Sequence, residues 1–140
     1  MLVATTFARY DMNTRLLMAV SAFIMGLAGT TLSFLPKETA NYFGLSASNS
    51  IVLQICGALY LGFAFLNYTA KANLIGGIYS KPVAVANFVH FLVGGLALLK
   101  QAFKDTSIAY IWIPAAIYLT FAILFGYVFL FNPIMKTKSF

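Results

Sequence analysis

His90 is the only histidine in the chain, and Asn87 stands three residues before it, a spacing that puts both side chains on one helical face. An imidazole can move a proton, bind a metal or haem iron, or hydrogen-bond through either ring nitrogen. Tyr60, Tyr118 and Thr120 come to about the same depth as His90 when the apolar segments around them are counted out. These five residues form the candidate polar cluster or ligand contact, with His90 between Asn87 and a hydroxyl from Tyr60 or Tyr118.

Sharper chemistry finds little support. Bis-histidine haem ligation needs a second axial histidine, available only from a second copy or a partner. Zinc or copper needs several His, Cys or Met ligands converging; Met18 and Met25 share a helical face, but such a stripe reads as core packing. Proton-coupled export wants a carboxylate inside the membrane, and the apolar segments hold none. Intramembrane proteolysis wants paired aspartates or a Ser–His pair at matching depth; Ser21 is poorly placed for His90. No catalytic, cofactor or metal residue is therefore assigned. Cys56 stands alone, so no intrachain disulfide can form, and inside an apolar run it reads as a small hydrophobe.

The elements that must position the cluster are four apolar runs, Leu16 to Leu35, Ser50 to Tyr68, Pro82 to Leu99 and Ile108 to Phe131, free of Asp, Glu, Lys and Arg. Each is long enough for a spanning helix, which needs about 20 apolar residues. Composition agrees: the 140 residues are 61% hydrophobic and 9% charged, against roughly 45–50% and about 25% in soluble domains. The reading is all-α, a single integral membrane domain over residues 1–140. Short connections make it an up-down-up-down four-helix bundle.

The net charge of +6 does not indicate nucleic acid, because the basic residues are scattered singly and no patch forms. They sort instead by loop. Arg9, Arg15, Lys71, Lys81, Lys136 and Lys138 share one side, against Lys37, Lys100 and Lys104 with Glu38 and Asp105 on the other. Short cytoplasmic loops collect Lys and Arg, so both termini are expected in the cytoplasm, with the chain in the cell inner membrane. Tyr42, Tyr110 and Trp112 then mark the outer interface, and Tyr68, Tyr79 and Tyr127 the inner one. Met12-Asn13-Thr14-Arg15 ahead of Leu16 reads as a membrane-protein start, so Met12 is an alternative initiator.

Pro36 should stop the first span, Glu38 to Phe43 form a short interfacial turn, and Gly44 close it. Ser48 or Asn49 should cap the second span, and Asn132-Pro133 end the fourth. Small residues let membrane helices approach closely; Ala22, Gly26 and Thr30, then Gly57, Ala58 and Gly62, then Ala86 and Gly94, then Ala122 and Gly126 are expected to line the bundle's own interior. Gln54, Tyr60, Asn67, Asn87, His90, Tyr118 and Thr120 should point inward, since an unpaired polar group in hydrocarbon costs several kcal/mol.

Phe34-Leu35-Pro36 with Tyr42-Phe43-Gly44-Leu45, and Gly57-Ala58-Leu59-Tyr60-Leu61-Gly62-Phe63-Ala64 running on to Asn67-Tyr68-Thr69-Ala70, resemble small four-helix bacterial membrane proteins of the DoxX-like kind. The resemblance covers the layout of the whole chain through apolar motifs. It implies an accessory role in membrane redox systems and carries over no cofactor or catalytic residue.

The expectation is a protein without enzymatic activity, surrounded by the lipid bilayer, serving as an accessory or scaffold subunit of a larger membrane complex. The alternative is a binder of a small apolar ligand, a quinone or lipid, in a cleft beside His90. An open cleft would favour the ligand; a closed, hydrogen-bonded interior would favour the scaffold.

Overall fold

The structure, a computed structural model, describes residues 13–72, 81–106 and 109–131. Five α-helices follow in order: α1 (Thr14–Phe34), α2 (Pro36–Tyr42), α3 (Ser50–Ala70), α4 (Lys81–Lys104) and α5 (Trp112–Phe131). Four of them are long and apolar enough to cross a membrane, with α5 counted together with the 3-10 turn Ala109–Ile111 that leads into it. The all-α, four-span membrane architecture is as expected from the sequence. The Met12 start, Tyr79 and the Asn132-Pro133 stop lie outside the described residues.

Local signals account for most of the boundaries. The Asn13 side chain caps α1 by accepting from the Leu16 amide at 3.1 Å. Pro36 opens α2 at its first helical position, where a missing N–H costs nothing because the first amides of a helix have no intrahelical partner. Pro114, in the first turn of α5, is tolerated for the same reason. Gly44 takes φ +66° after α2, a conformation that suits a residue lacking Cβ. The expected cap on α3 is absent: Asn49 makes no side-chain capping bond, and the Ser48 hydroxyl pairs with that of Ser46 at 2.9 Å. α4 continues to Lys104, a turn beyond the Leu99 limit set by hydropathy, with Lys100 and Lys104 exposed at that end, where a long aliphatic stem lets the charge stay in water.

The bundle is built from two antiparallel pairs. α1 packs along α3 and α4 along α5, whereas α3–α4 and α1–α5 approach only sparsely. Small residues set the first pair. A Cβ on Gly57 would lie 2.7 Å from the Ser33 amide nitrogen and 2.9 Å from the Gly29 carbonyl, so the backbones touch where side chains are missing. The expected small residues line the interior in part: Ala22, Gly57, Ala122 and Gly126 are buried, with Gly29 as the partner of Gly57, whereas Thr30, Ala58 and Gly62 are exposed. Their register follows the α1–α3 crossing, which spacing along one helix does not reveal.

Large side chains fill the space between the pairs. Met18, Met25, Phe91 and Phe125 are almost wholly buried. Phe91 stacks on Phe121 and Phe125 with ring centroids 4.8 and 5.8 Å apart. Met18 and Met25 thus do pack the core, as their shared face suggested.

Candidate functional site

Two polar layers cross the interior, about one helical turn apart along α4 (Asn87 to His90) and two along α3 (Asn67 to Tyr60). In the first, Asn67 of α3 and Asn87 of α4 exchange two hydrogen bonds, each amide nitrogen donating to the other's oxygen at 2.7 Å. Asn67 Nδ2 also donates to Ser21 Oγ at 3.0 Å, and Asn87 Nδ2 to the Val83 carbonyl at 2.9 Å. Ser21 in turn donates to the Met18 carbonyl at 3.0 Å. All three side chains are fully buried. The layer is therefore satisfied within itself, as apolar surroundings demand.

The second layer holds Tyr60, Tyr118 and His90. The phenol oxygens of Tyr60, at the middle of α3, and Tyr118 of α5 share a hydrogen bond that spans the bundle. Gly94 makes room for the Tyr118 ring: a Cβ there would lie 2.6 Å from ring atom Cε1. His90 packs edge-on against Tyr60 and Phe91 and tilted over Phe63 and Tyr118, with centroids 4.9–5.7 Å away. Its Nε2 is buried and has no hydrogen-bond partner among the described residues.

Of the five candidate residues, the structure brings Tyr60, Tyr118 and His90 together. Asn87 lies on the neighbouring turn but is bonded to Asn67, not to His90. Thr120 is exposed on the outside of α5 and donates to the Ala116 carbonyl of its own helix at 2.8 Å. A hydroxyl satisfied by its own backbone can face lipid without penalty, so the inward rule does not bind it. Gln54 is likewise exposed, reaching the Ser33 carbonyl at 3.5 Å. Among the described residues no group of three or more His, Cys, Asp or Glu side chains could hold a metal ion.

A cleft of about 790 Å³ opens between α1 on one side and α4 and α5 on the other. Tyr60, Tyr118, Met25 and Phe91 form its deep end, and Leu98 and Pro114 stand among its apolar walls. The exposed lining residues Tyr42, Phe43, Gln101 and Tyr110 mark its mouth. The rings of Tyr42, at the end of α2, and Phe43, just after it, approach the Tyr110 ring at 6.2 and 5.9 Å. The volume lies within the range of small-molecule pockets, about 300–1,000 Å³. Sequence reasoning sought a cleft beside His90; His90 is not among the lining residues and stands behind the phenol pair. The available signal was the gathering of Tyr42, Phe43 and Tyr110 at one end of the bundle.

A second, shallower groove of about 540 Å³ runs along the outer face of α1 and α3 past Ala19, Ala22, Gly26, Thr30 and Ala64. Of the foreseen small residues, Gly26 and the exposed Thr30 edge this channel, with the buried Ala22 beneath it.

These features define a class: a multi-pass, all-α membrane protein with a satisfied polar layer and an apolar cleft ending on two phenols. Comparison with protein-family models, curated proteins and solved structures finds no match.

Proposed function

We propose that this protein binds a small, uncharged, membrane-soluble ligand in the cleft between α1, α4 and α5. The cleft itself carries the reading: it has the volume of a ligand pocket, apolar walls, and a few convergent polar groups at its two ends. A closed, hydrogen-bonded interior, the arrangement expected of a pure scaffold, occurs at the Asn67–Asn87 layer, whereas the Tyr60–Tyr118 layer borders the cleft. The ligand reading carries no enzymatic step.

We further propose that the chain sits in the cell inner membrane with both termini in the cytoplasm, on the strength of its loop charges. Arg15, Lys71 and Lys81 stand at one end of the bundle; Lys37, Lys100 and Lys104 stand at the other, with α2. In that orientation the cleft opens into the outer leaflet. Reporter fusions at the C-terminus and in the loop between α2 and α3 test it: activity of a cytoplasm-only reporter in that loop would reverse the assignment.

The accessory-subunit role, and with it the DoxX-like resemblance, is a second proposal. The outer groove past Ala22, Gly26 and Thr30 supports it, because small residues let a partner's transmembrane helix approach closely. Purification in mild detergent, with identification of co-purifying proteins and extracted lipids, separates the two. A chain that runs alone with one stoichiometric small molecule removes the accessory role. A stoichiometric protein partner and an empty extract remove the ligand.

A further inference from the structure

The deep end of the cleft has more hydrogen-bonding capacity than it uses. Tyr60 and Tyr118 bring two O–H donors, and the bond between them consumes one. Neither phenol makes another hydrogen bond among the described residues, so one O–H remains at the floor, and both residues line the cleft. A donor left unmatched in a water-poor, apolar site is costly.

We infer that the ligand presents an uncharged carbonyl to this phenol pair, which makes it an apolar ketone, aldehyde or quinone-type ring. The inference rests on the cleft being the ligand site. A carbonyl oxygen takes the spare proton and brings no donor of its own, so the deep end becomes satisfied. An alcohol accepts the same proton but adds an O–H of its own, which must then find a remaining phenol lone pair.

A carboxylate or phosphate is disfavoured on separate grounds. No Lys or Arg lines the cleft among the described residues, and Tyr60 lies at the midpoint of a spanning helix, where an unpaired charge is expensive. Apolar walls including Met25, Phe91, Leu98 and Pro114 accept the body of the molecule. The opposite end reaches Gln101 and Tyr110 at the mouth. Phospholipid tails lack any acceptor at their inner end and leave the phenol donor unmatched.

The test uses the full chain in lipid nanodiscs and three probes of equal chain length: a methyl ketone isotope-labelled at its carbonyl carbon, the alkane and the secondary alcohol. Occupancy is read by native mass spectrometry and the carbonyl stretch by infrared difference spectroscopy. Expected are ketone binding roughly two- to tenfold tighter than alkane, the value of one net hydrogen bond, and a carbonyl stretch lowered from its position in lipid. Tyr60→Phe/Tyr118→Phe should bind ketone and alkane equally, with an unshifted stretch. Ala28→Phe, which fills the cleft wall, should abolish both. Should the double variant not fold, the tyrosine C–O mode of the wild-type protein serves instead, moving with ketone and not with alkane.

Equal binding of ketone and alkane with an unshifted stretch overturns the carbonyl assignment and leaves the cleft as a ligand site. Alcohol binding as tight as ketone binding also overturns it. Binding of no probe, or binding unaffected by Ala28→Phe, overturns both.

Discussion

Asn67 and Asn87 hold each other by two reciprocal amide bonds of 2.7 Å across the α3–α4 boundary. The helices approach only sparsely there, so this pair supplies a directional link between the two helical hairpins. Removing one amide strands the other in an apolar interior. Asn87→Leu should therefore cost about 1–3 kcal/mol, and Asn67→Leu/Asn87→Leu less than the sum of the two single changes. A double-mutant cycle on unfolding in mixed micelles measures it; strict additivity would show that the pair is not coupled.

Gly57 is expected to be intolerant and Gly62 indifferent, although both lie on α3. The Cβ of Gly57→Ala meets the α1 backbone at Ser33 and Gly29, whereas that of Gly62→Ala meets nothing within 4 Å. The first change should cost about 1–3 kcal/mol by forcing the helices apart. The second should stay within about 0.5 kcal/mol. Thermal unfolding of the two purified variants side by side decides the point.

Phe91→Ala removes a ring packed on Phe121, Phe125 and Tyr118. In water-soluble cores such a change costs about 3–5 kcal/mol. Here lipid is as apolar as the site, so the transfer part is small and mainly lost packing remains. A loss of stability below that range is expected on unfolding into micelles. The same variant should enlarge the cleft and weaken ligand retention.

Thr120→Val should change neither stability nor binding measurably, because its hydroxyl is exposed and bonded to the Ala116 carbonyl of its own helix. Gly94→Ala should act oppositely at the same depth. Its Cβ would drive into the Tyr118 ring, parting Tyr118 from Tyr60 and reducing ketone preference over alkane. If Thr120→Val shifts that preference and Gly94→Ala does not, the phenol pair is not the binding end.

The sequence by itself determined that four helices form and that hydrocarbon suits them: apolar runs of spanning length, with charge confined to their ends, leave no other way to satisfy the backbone. Chain-local chemistry also set Asn13, Pro36 and Gly44 at element ends, where the effect of each depends on its immediate neighbours. Tertiary structure decided which polar residues meet. Asn87 and His90 share a helical face, yet only the rotation of α4 against α3 chose Asn67 for Asn87 and left His90 among aromatic rings. The cleft is tertiary too. It exists because the Gly29–Gly57 contact draws α1 to α3 while α5 stays with α4. No one-dimensional spacing records the separation of two helices that are far apart in the chain.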